Sequence, residues 1–282
     1  MKIGICSTDF ENDSIDGIFK KIHKYGFDAV QFSYVSIGMD EIPKEIPDEI
    51  IDEINASLKK YDVEIVAVNA TFNLIDHDKK RLERNIKNME TMCKANKKLG
   101  CKLLTLCTGS RSHESMWSYH PDTAKKDAWD ELMMNIKPVI KTAEKYDMYL
   151  GIETEAKNVV MTPDMARKFI DESGSDRMKV ILDCANLFHA GDAHKENVEK
   201  TIRDAFDKLG NDIILAHGKD IAESDGIDFA PVGEGIVDYD LFLELLKKYN
   251  YKGAMVIHGI YDESLMDGCV KFIKEKIKEH NM

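Results

Sequence analysis

Two rhythms of apolar and polar positions alternate along this chain. Short runs that are apolar on both faces recur at Met1–Cys6, Asp28–Phe32, Glu64–Val68, Leu103–Leu106, Tyr149–Ile152, Lys179–Leu182, Ile213–Ala216 and Ala254–Ile257. Runs of that length and character predict parallel strands covered on both sides. The segments between them carry apolar residues at helical spacing. Ile50, Ile51, Ile54 and Leu58 make one stripe, and Val198, Ile202, Ala205 and Leu209 make another. The longest segment, about 124–146, contains Pro138, which predicts a kink or a fresh start there.

The joints between helix and strand repeat the same chemistry. Lys24-Tyr25-Gly26, Lys60-Tyr61-Asp62, Lys98-Leu99-Gly100, Lys145-Tyr146-Asp147, Lys208-Leu209-Gly210 and Lys248-Tyr249-Asn250 each stand just before a strand, and Ser173-Gly174-Ser175 does the same job with other residues. A lysine in the last turn faces the negative end of the helix dipole. Gly, Asp or Asn then suits the left-handed position that ends a helix. Seven joints plus an N-terminal strand predict eight βα units. The expected fold is therefore a single (β/α)₈ barrel over residues 1–282, with its termini close together. A doubly wound open sheet is the alternative, but no glycine-rich phosphate loop follows the first strand.

Composition narrows the partners. The 282 residues are 43% hydrophobic, enough for one large core, and 51 acidic against 39 basic residues give a formal charge of −12. That charge repels a phosphate backbone or an anionic membrane, so neither nucleic acid nor membrane is an expected partner. Homo-oligomerisation is left open. Cys6, Cys93, Cys101, Cys107, Cys184 and Cys269 form no C-x-x-C pair and read as buried reduced thiols. The chain opens directly on a strand, without a signal-peptide pattern, and no apolar run reaches the roughly 20 residues of a membrane span. A cytoplasmic location is expected.

Barrel enzymes place reacting groups at the C-terminal ends of strands. Here the fifth strand ends in Ile152-Glu153-Thr154-Glu155, the sixth in Leu182-Asp183, the seventh in Ala216-His217-Gly218-Lys219-Asp220 and the eighth in Ile257-His258-Gly259. Any one of these, alone, is most simply a cap or loop residue. Together, Glu153, Asp183, His217 and His258 make a mixed oxygen and nitrogen set suited to one divalent ion: Mn²⁺, Co²⁺, Zn²⁺ or Mg²⁺. Phe10, Phe32, Tyr34, Phe72 and Trp117 are candidates for an apolar wall against a sugar ring. His120-Pro121-Asp122 reads as pocket wall or helix start, and Asp238 as an N-cap. No cluster of Arg and Lys marks a phosphate site.

With these ends in view, the chain resembles the xylose-isomerase-like TIM barrels of the sugar phosphate isomerase/epimerase family, over essentially its whole length. The resemblance rests on Gly151-Ile152-Glu153, Val180-Ile181-Leu182-Asp183 with Asn186, Ala216-His217-Gly218-Lys219-Asp220, and Pro231-Val232-Gly233-Glu234-Gly235 leading to Asp238. It implies one divalent ion held by Glu153, Asp183 and His217. The family's fourth ligand is a glutamate, where this chain has His258. Glu263, in the following loop, is the substitute to consider. Asn186 and Glu155 stand where the family's ketose epimerases carry histidines.

The resemblance therefore implies a metal-dependent isomerase or epimerase acting on a sugar, polyol or related keto compound through an enediolate. Glu153 would be ligand and base, and Lys219 or His258 would relay protons. Trp117, Glu155, Asn186 and Phe72 would contact a carbohydrate substrate. Losing the strand-eight glutamate predicts proton chemistry on one side only, as in isomerisation. A lyase on the same scaffold is the alternative. A hydrolase of the endonuclease IV kind, or a barrel that binds sugar without turnover, fits the residues less well.

Overall fold

Eight parallel strands close into a barrel in the computed structural model, which describes residues 1–11, 13–260 and 262–282. The barrel strands are β1 (Ile3–Cys6), β2 (Ala29–Phe32), β3 (Glu64–Asn69), β4 (Leu103–Leu106), β5 (Tyr149–Glu153), β6 (Met178–Asp183), β7 (Ile213–Gly218) and β10 (Met255–Ile257). Closure is made by β1, which pairs with β2 on one side and, in the register Ile5 to Ile257, with β10 on the other. A small antiparallel ribbon, β8 (Asp220–Ile221) with β9 (Phe229–Ala230), lies outside the barrel and was not foreseen from the sequence.

The α-helices among the described residues are α1 (Ile15–Lys24), α2 (Asp48–Tyr61), α3 (Lys79–Lys98), α4 (Lys126–Tyr146), α5 (Pro163–Ser173), α6 (Lys195–Leu209), α7 (Tyr239–Lys248) and α8 (Met266–Glu279). Several start on side-chain caps. Ser14 accepts from Gly17 N–H, Thr162 from Met165 N–H and Asp238 from Leu241 N–H. Each such cap contributes about 1 kcal/mol. The predicted α6 stripe of Val198, Ile202, Ala205 and Leu209 is buried, together with Phe206. Truncating Ile202 to Ala there costs about 2–5 kcal/mol.

Six of the seven joints take the left-handed turn expected of them, at Gly26, Asp62, Gly100, Asp147, Gly174 and Asn250. The seventh does not. Gly210 is right-handed, with φ −53°, and opens a short 3₁₀ turn at Gly210–Asp212. Its glycine serves space instead of handedness, because a Cβ there would lie 2.5 Å from the Tyr249 ring. No fresh start occurs at Pro138, since α4 runs through it as one element. The proline is exposed, so the carbonyl it leaves without a donor, on the exposed Met134, is open to water. Among the described residues, no helix is long and apolar enough to cross a membrane.

Candidate active site

The C-terminal ends of the strands surround a cavity of about 530 Å³, within the range of small-molecule sites. Four of the expected side chains meet at its base. One ligand atom from each of Glu153, Asp183, His217 and His258 lies within 4.8 Å of the others. Their order follows from the strands. Glu153, Asp183 and His217 fall within the last residues of β5, β6 and β7, and His258 is one residue past β10.

Hydrogen bonds fix each member. Asp183 is fully buried, and its Oδ1 accepts from Ala185 N–H at 2.8 Å. Its Oδ2 accepts from His258 Nε2 at 2.8 Å and pairs with Lys219 Nζ at 3.3 Å. Burial opposes its ionisation, but Lys219 and His258 together hold the carboxyl below the usual range. The pairing is mutual. Burial and Lys219 work against a charge on His258, yet Asp183 holds its imidazole above the usual value. Burial likewise opposes charge on Lys219, and Asp183, Glu155 and Glu153 raise it. Lys219 Nζ also donates to Asn186 Oδ1 at 2.6 Å and sits 3.8 Å from the centre of the Phe229 ring.

Asn186 Nδ2 donates both to Glu153 Oε1, at 2.9 Å, and to Glu155 Oε1, at 2.8 Å. Burial and the Glu153 carboxylate push Glu155 up to about 8. His217 Nε2 meets Gln31 Oε1 at 2.9 Å, so that nitrogen carries the proton, and Nδ1 faces Glu153 Oε1 at 3.3 Å. In the neutral tautomer that donates Nε2–H to Gln31, two acceptors face one another, an arrangement that a cation between them resolves. With two carboxylates and two imidazoles, three of the four residues buried, the donor set fits a hard or borderline divalent ion.

The remaining sequence expectations divide. Trp117 (46% exposed), Glu155 and Asn186 line the cavity, but Phe72 does not. Phe72 is packed in the core, as are Phe10, Phe32 and Tyr34, because the chain turns after β3 and sends Thr71 to the cavity instead. Glu263 does not reach the site either. It lies at the start of a 3₁₀ turn, paired with Lys21 Nζ at 3.3 Å and accepting from Tyr25. His120 caps the 3₁₀ turn Pro121–Ala124 and is no part of the cavity wall. All six thiols are buried. Burial raises both Cys107, on the cavity wall, and Cys184.

Other cavity residues escaped sequence reasoning. Asp9, Gln31, Ser33, Asn69, Thr71 and Thr105 supply the wall on the β1–β4 side, and Phe188 and Phe229 supply aromatic surface. Asn69 Oδ1 accepts from Thr71 and, at 2.7 Å, from Thr105. Asp220, next to Lys219, holds the following loop by accepting from Gly233 N–H and Val237 N–H, each at 3.0 Å. A Cβ on Gly235 would strike that carboxylate, which accounts for the glycine-rich run there. Asn158 ties the loops after β4 and β5 together, accepting from Gly109 N–H at 2.6 Å and donating to Met116 C=O beside Trp117.

Known proteins share this architecture. A D-psicose 3-epimerase of Enterocloster bolteae is 29% identical over 126 residues, which is 44% of this chain and only 37% of that relative. An inosose dehydratase of Histophilus somni is 20% identical over 97% of this chain and 95% of its own length. Among solved structures, the zinc-bound IolI protein aligns with a TM-score of 0.70 at 18% identity, covering 99% of this chain and 98% of the other. The relatives named in this way are epimerases and dehydratases on one scaffold. The description of the family whose sequence model matches residues 19–279 agrees with the barrel, and the chain belongs to that family, the xylose isomerase-like TIM barrels.

Proposed function

We propose that this protein is a divalent-metal-dependent isomerase or epimerase that removes a proton beside the carbonyl of a sugar or related keto-polyol. The observation that carries the reading is the convergence of Glu153, Asp183, His217 and His258 at the cavity. These four would hold the ion. When bound, it supplies positive charge beside the substrate oxygens and stabilises the enediolate that proton loss creates.

The chain's own groups do the rest. Both contacts to Glu153 fall on Oε1, so Oε2 is left to take a proton from a carbon acid in the cavity. Asn186 keeps that carboxylate in place, and Lys219, clamped by Asp183 and Asn186, supplies a fixed positive charge and a donor for a substrate oxygen. Trp117, Phe188 and Phe229 offer apolar surface to the ring face, with Glu155 and Asn186 placed for hydroxyls.

The alternative, expulsion of water from the same enediolate, draws support from the inosose dehydratase, which aligns over 97% of this chain. The test is metal analysis followed by D-fructose, D-psicose, D-tagatose and an inosose incubated in D₂O and read by NMR. The expected result is about one ion per chain and metal-dependent deuterium uptake that Glu153→Gln reduces by roughly 10²–10⁴-fold. Loss of the elements of water from the product favours the dehydratase. No uptake with any substrate removes the enediolate reading.

A further inference from the structure

The wall opposite Glu153 carries a carboxylate that the reading above leaves without work. Asp9 ends the short 3₁₀ turn after β1 and lines the cavity. In the closed strand order, β1 and β5 are four strands apart in either direction. Asp9 and Glu153 therefore stand on opposite sides of the barrel mouth, with the cavity between them. The Cys6 thiol stands at the end of β1. Burial raises it most, and the negative charges of Asp9 and Glu153 both add to the rise.

The environment of Asp9 differs from that of the other cavity carboxylates. Asp183 pairs with Lys219 and His258, while Glu153 and Glu155 both accept from Asn186. Among the described residues no side-chain cation pairs with Asp9. Its Oδ2 accepts from Ile260 N–H at 3.0 Å, just beyond the β10 end where His258 stands. A carboxyl group anchored on backbone, with the charge of His258 near but not in direct contact, can alternately take and give a proton. Burial raises Asp9 above the usual carboxylate range.

We propose that Asp9 is the second proton-transfer residue of this site, serving the substrate face opposite Glu153. The inference rests on the enediolate reading and extends it to inversion at carbon. Glu153 takes the proton from the carbon beside the carbonyl, and the C–H electron pair moves to form the enediolate. The protonated Asp9 gives its proton to the same carbon from the other face, and the carbonyl re-forms. One C–H bond breaks and one forms. Exchange with water then returns Glu153 and Asp9 to their starting states, and no co-reactant is consumed. The one-sided chemistry expected from His258 is replaced, because the opposing carboxylate comes from the first strand instead of the eighth.

The test uses Mn²⁺-loaded wild type, Asp9→Asn and Glu153→Gln with D-fructose, D-psicose and D-tagatose in D₂O. Asparagine keeps an oxygen for the Ile260 amide and removes only the basicity, so metal content and melting temperature should match wild type. Asp9→Asn should retain deuterium uptake at the substrate carbon while inverted product falls by roughly 10²-fold or more. Glu153→Gln should lose both. In the wild type, first-turnover product should carry solvent deuterium and none of the original hydrogen, a readout that needs no variant to fold. Inversion by Asp9→Asn within about twofold of wild type overturns the proposal and leaves the enediolate reading standing. Transfer of the original hydrogen into inverted product overturns it too. A wild type that exchanges no hydrogen with any of the three sugars sinks both.

Discussion

Two carboxylates near the barrel mouth, one fully and one partly buried, meet opposite fates, and their contrast separates the two halves of the site. Asp183, on the β5–β10 half, is fully buried yet held ionised, because Lys219 and His258 stand against it. Glu41, behind the β1–β4 half, is only partly buried but is pushed up to about 7. Its contact is the neutral Asn69 amide, and no cation faces it among the described residues. Depth of burial thus does not decide the charge state; the compensating partner does. The β5–β10 half is an ionic network with its charges paired, fit to handle a cation and protons. The β1–β4 half, Asp9 apart, is a neutral lattice of Gln31, Ser33, Asn69, Thr71 and Thr105, fit to read hydroxyl groups.

The largest expected effect comes from removing the compensation on the ionic side. Lys219→Met leaves the buried Asp183 with His258 alone. Breaking a buried pair in this way costs about 3–5 kcal/mol. At roughly 2–4 °C per kcal/mol for a large domain, the unfolding midpoint should fall by about 6–20 °C near neutral pH. Added Mn²⁺ should restore more of the midpoint in the variant than it adds to wild type, since a bound cation takes over the compensation. A midpoint within about 2 °C of wild type would mean that Lys219 is not what keeps Asp183 charged.

A smaller effect probes where the two halves touch. Gln31 reaches from β2 to His217 on β7. By accepting from Nε2–H it fixes the tautomer that turns Nδ1 toward Glu153. Gln31→Leu, similar in bulk, should weaken divalent-metal affinity about 10–100-fold with little change in the apo protein's far-UV spectrum. Titration calorimetry with Mn²⁺ and Zn²⁺ checks this. Unchanged affinity would show that the two halves are not coupled through His217.

The same division marks what was legible in the sequence. Helix ends are written in local chemistry, so the joints predicted the barrel even though Gly210 turned out to answer to Tyr249 and not to a left-handed turn. Glu153, Asp183, His217 and His258 stood out because ionisable residues at equivalent strand ends are rare enough to notice together. The neutral half had no such signature. Asn69, Thr71 and Thr105 are ordinary strand-end residues until the fold brings them to one wall. Gln31 is a neutral residue within β2, with nothing in its local sequence to mark its contact with His217. Asp9 lies three residues beyond β1, within a Ser-Thr-Asp run that looks like turn chemistry. The same turning of the chain after strand ends misplaced Phe72, and β9 is too short, at two residues, for periodicity to find Phe229.

The smallest effect tests the neutral half directly, through Glu41. Its carboxyl, with an ordinary value of 4.5, stands at about 7 in the folded chain, with burial the cause. Between about pH 4.5 and 7 the folded protein therefore keeps a proton that the unfolded chain has released. Stability falls wherever the folded state binds more protons than the unfolded one and the pH rises. The contribution of Glu41 is thus fully present below the lower value, is lost as pH climbs through that window, and stays lost above it. Glutamine cannot ionise and keeps an oxygen for the Asn69 amide, so Glu41→Gln removes this loss without removing the hydrogen bond. Because the side chain is partly exposed, water screens much of the penalty, and a gain of about 1 kcal/mol is expected, or roughly 2–4 °C. Glu41→Gln should therefore melt higher than wild type at pH 8, and the gap should shrink toward zero at pH 5. Melting curves of both proteins at the two pH values give a double difference in which the titration of every other group cancels. A gap of equal size at both pH values would remove the buried-proton account. A variant that melts lower than wild type at pH 8 would mean that Glu41 is compensated as Asp183 is, and that the two halves of the mouth are electrostatically alike.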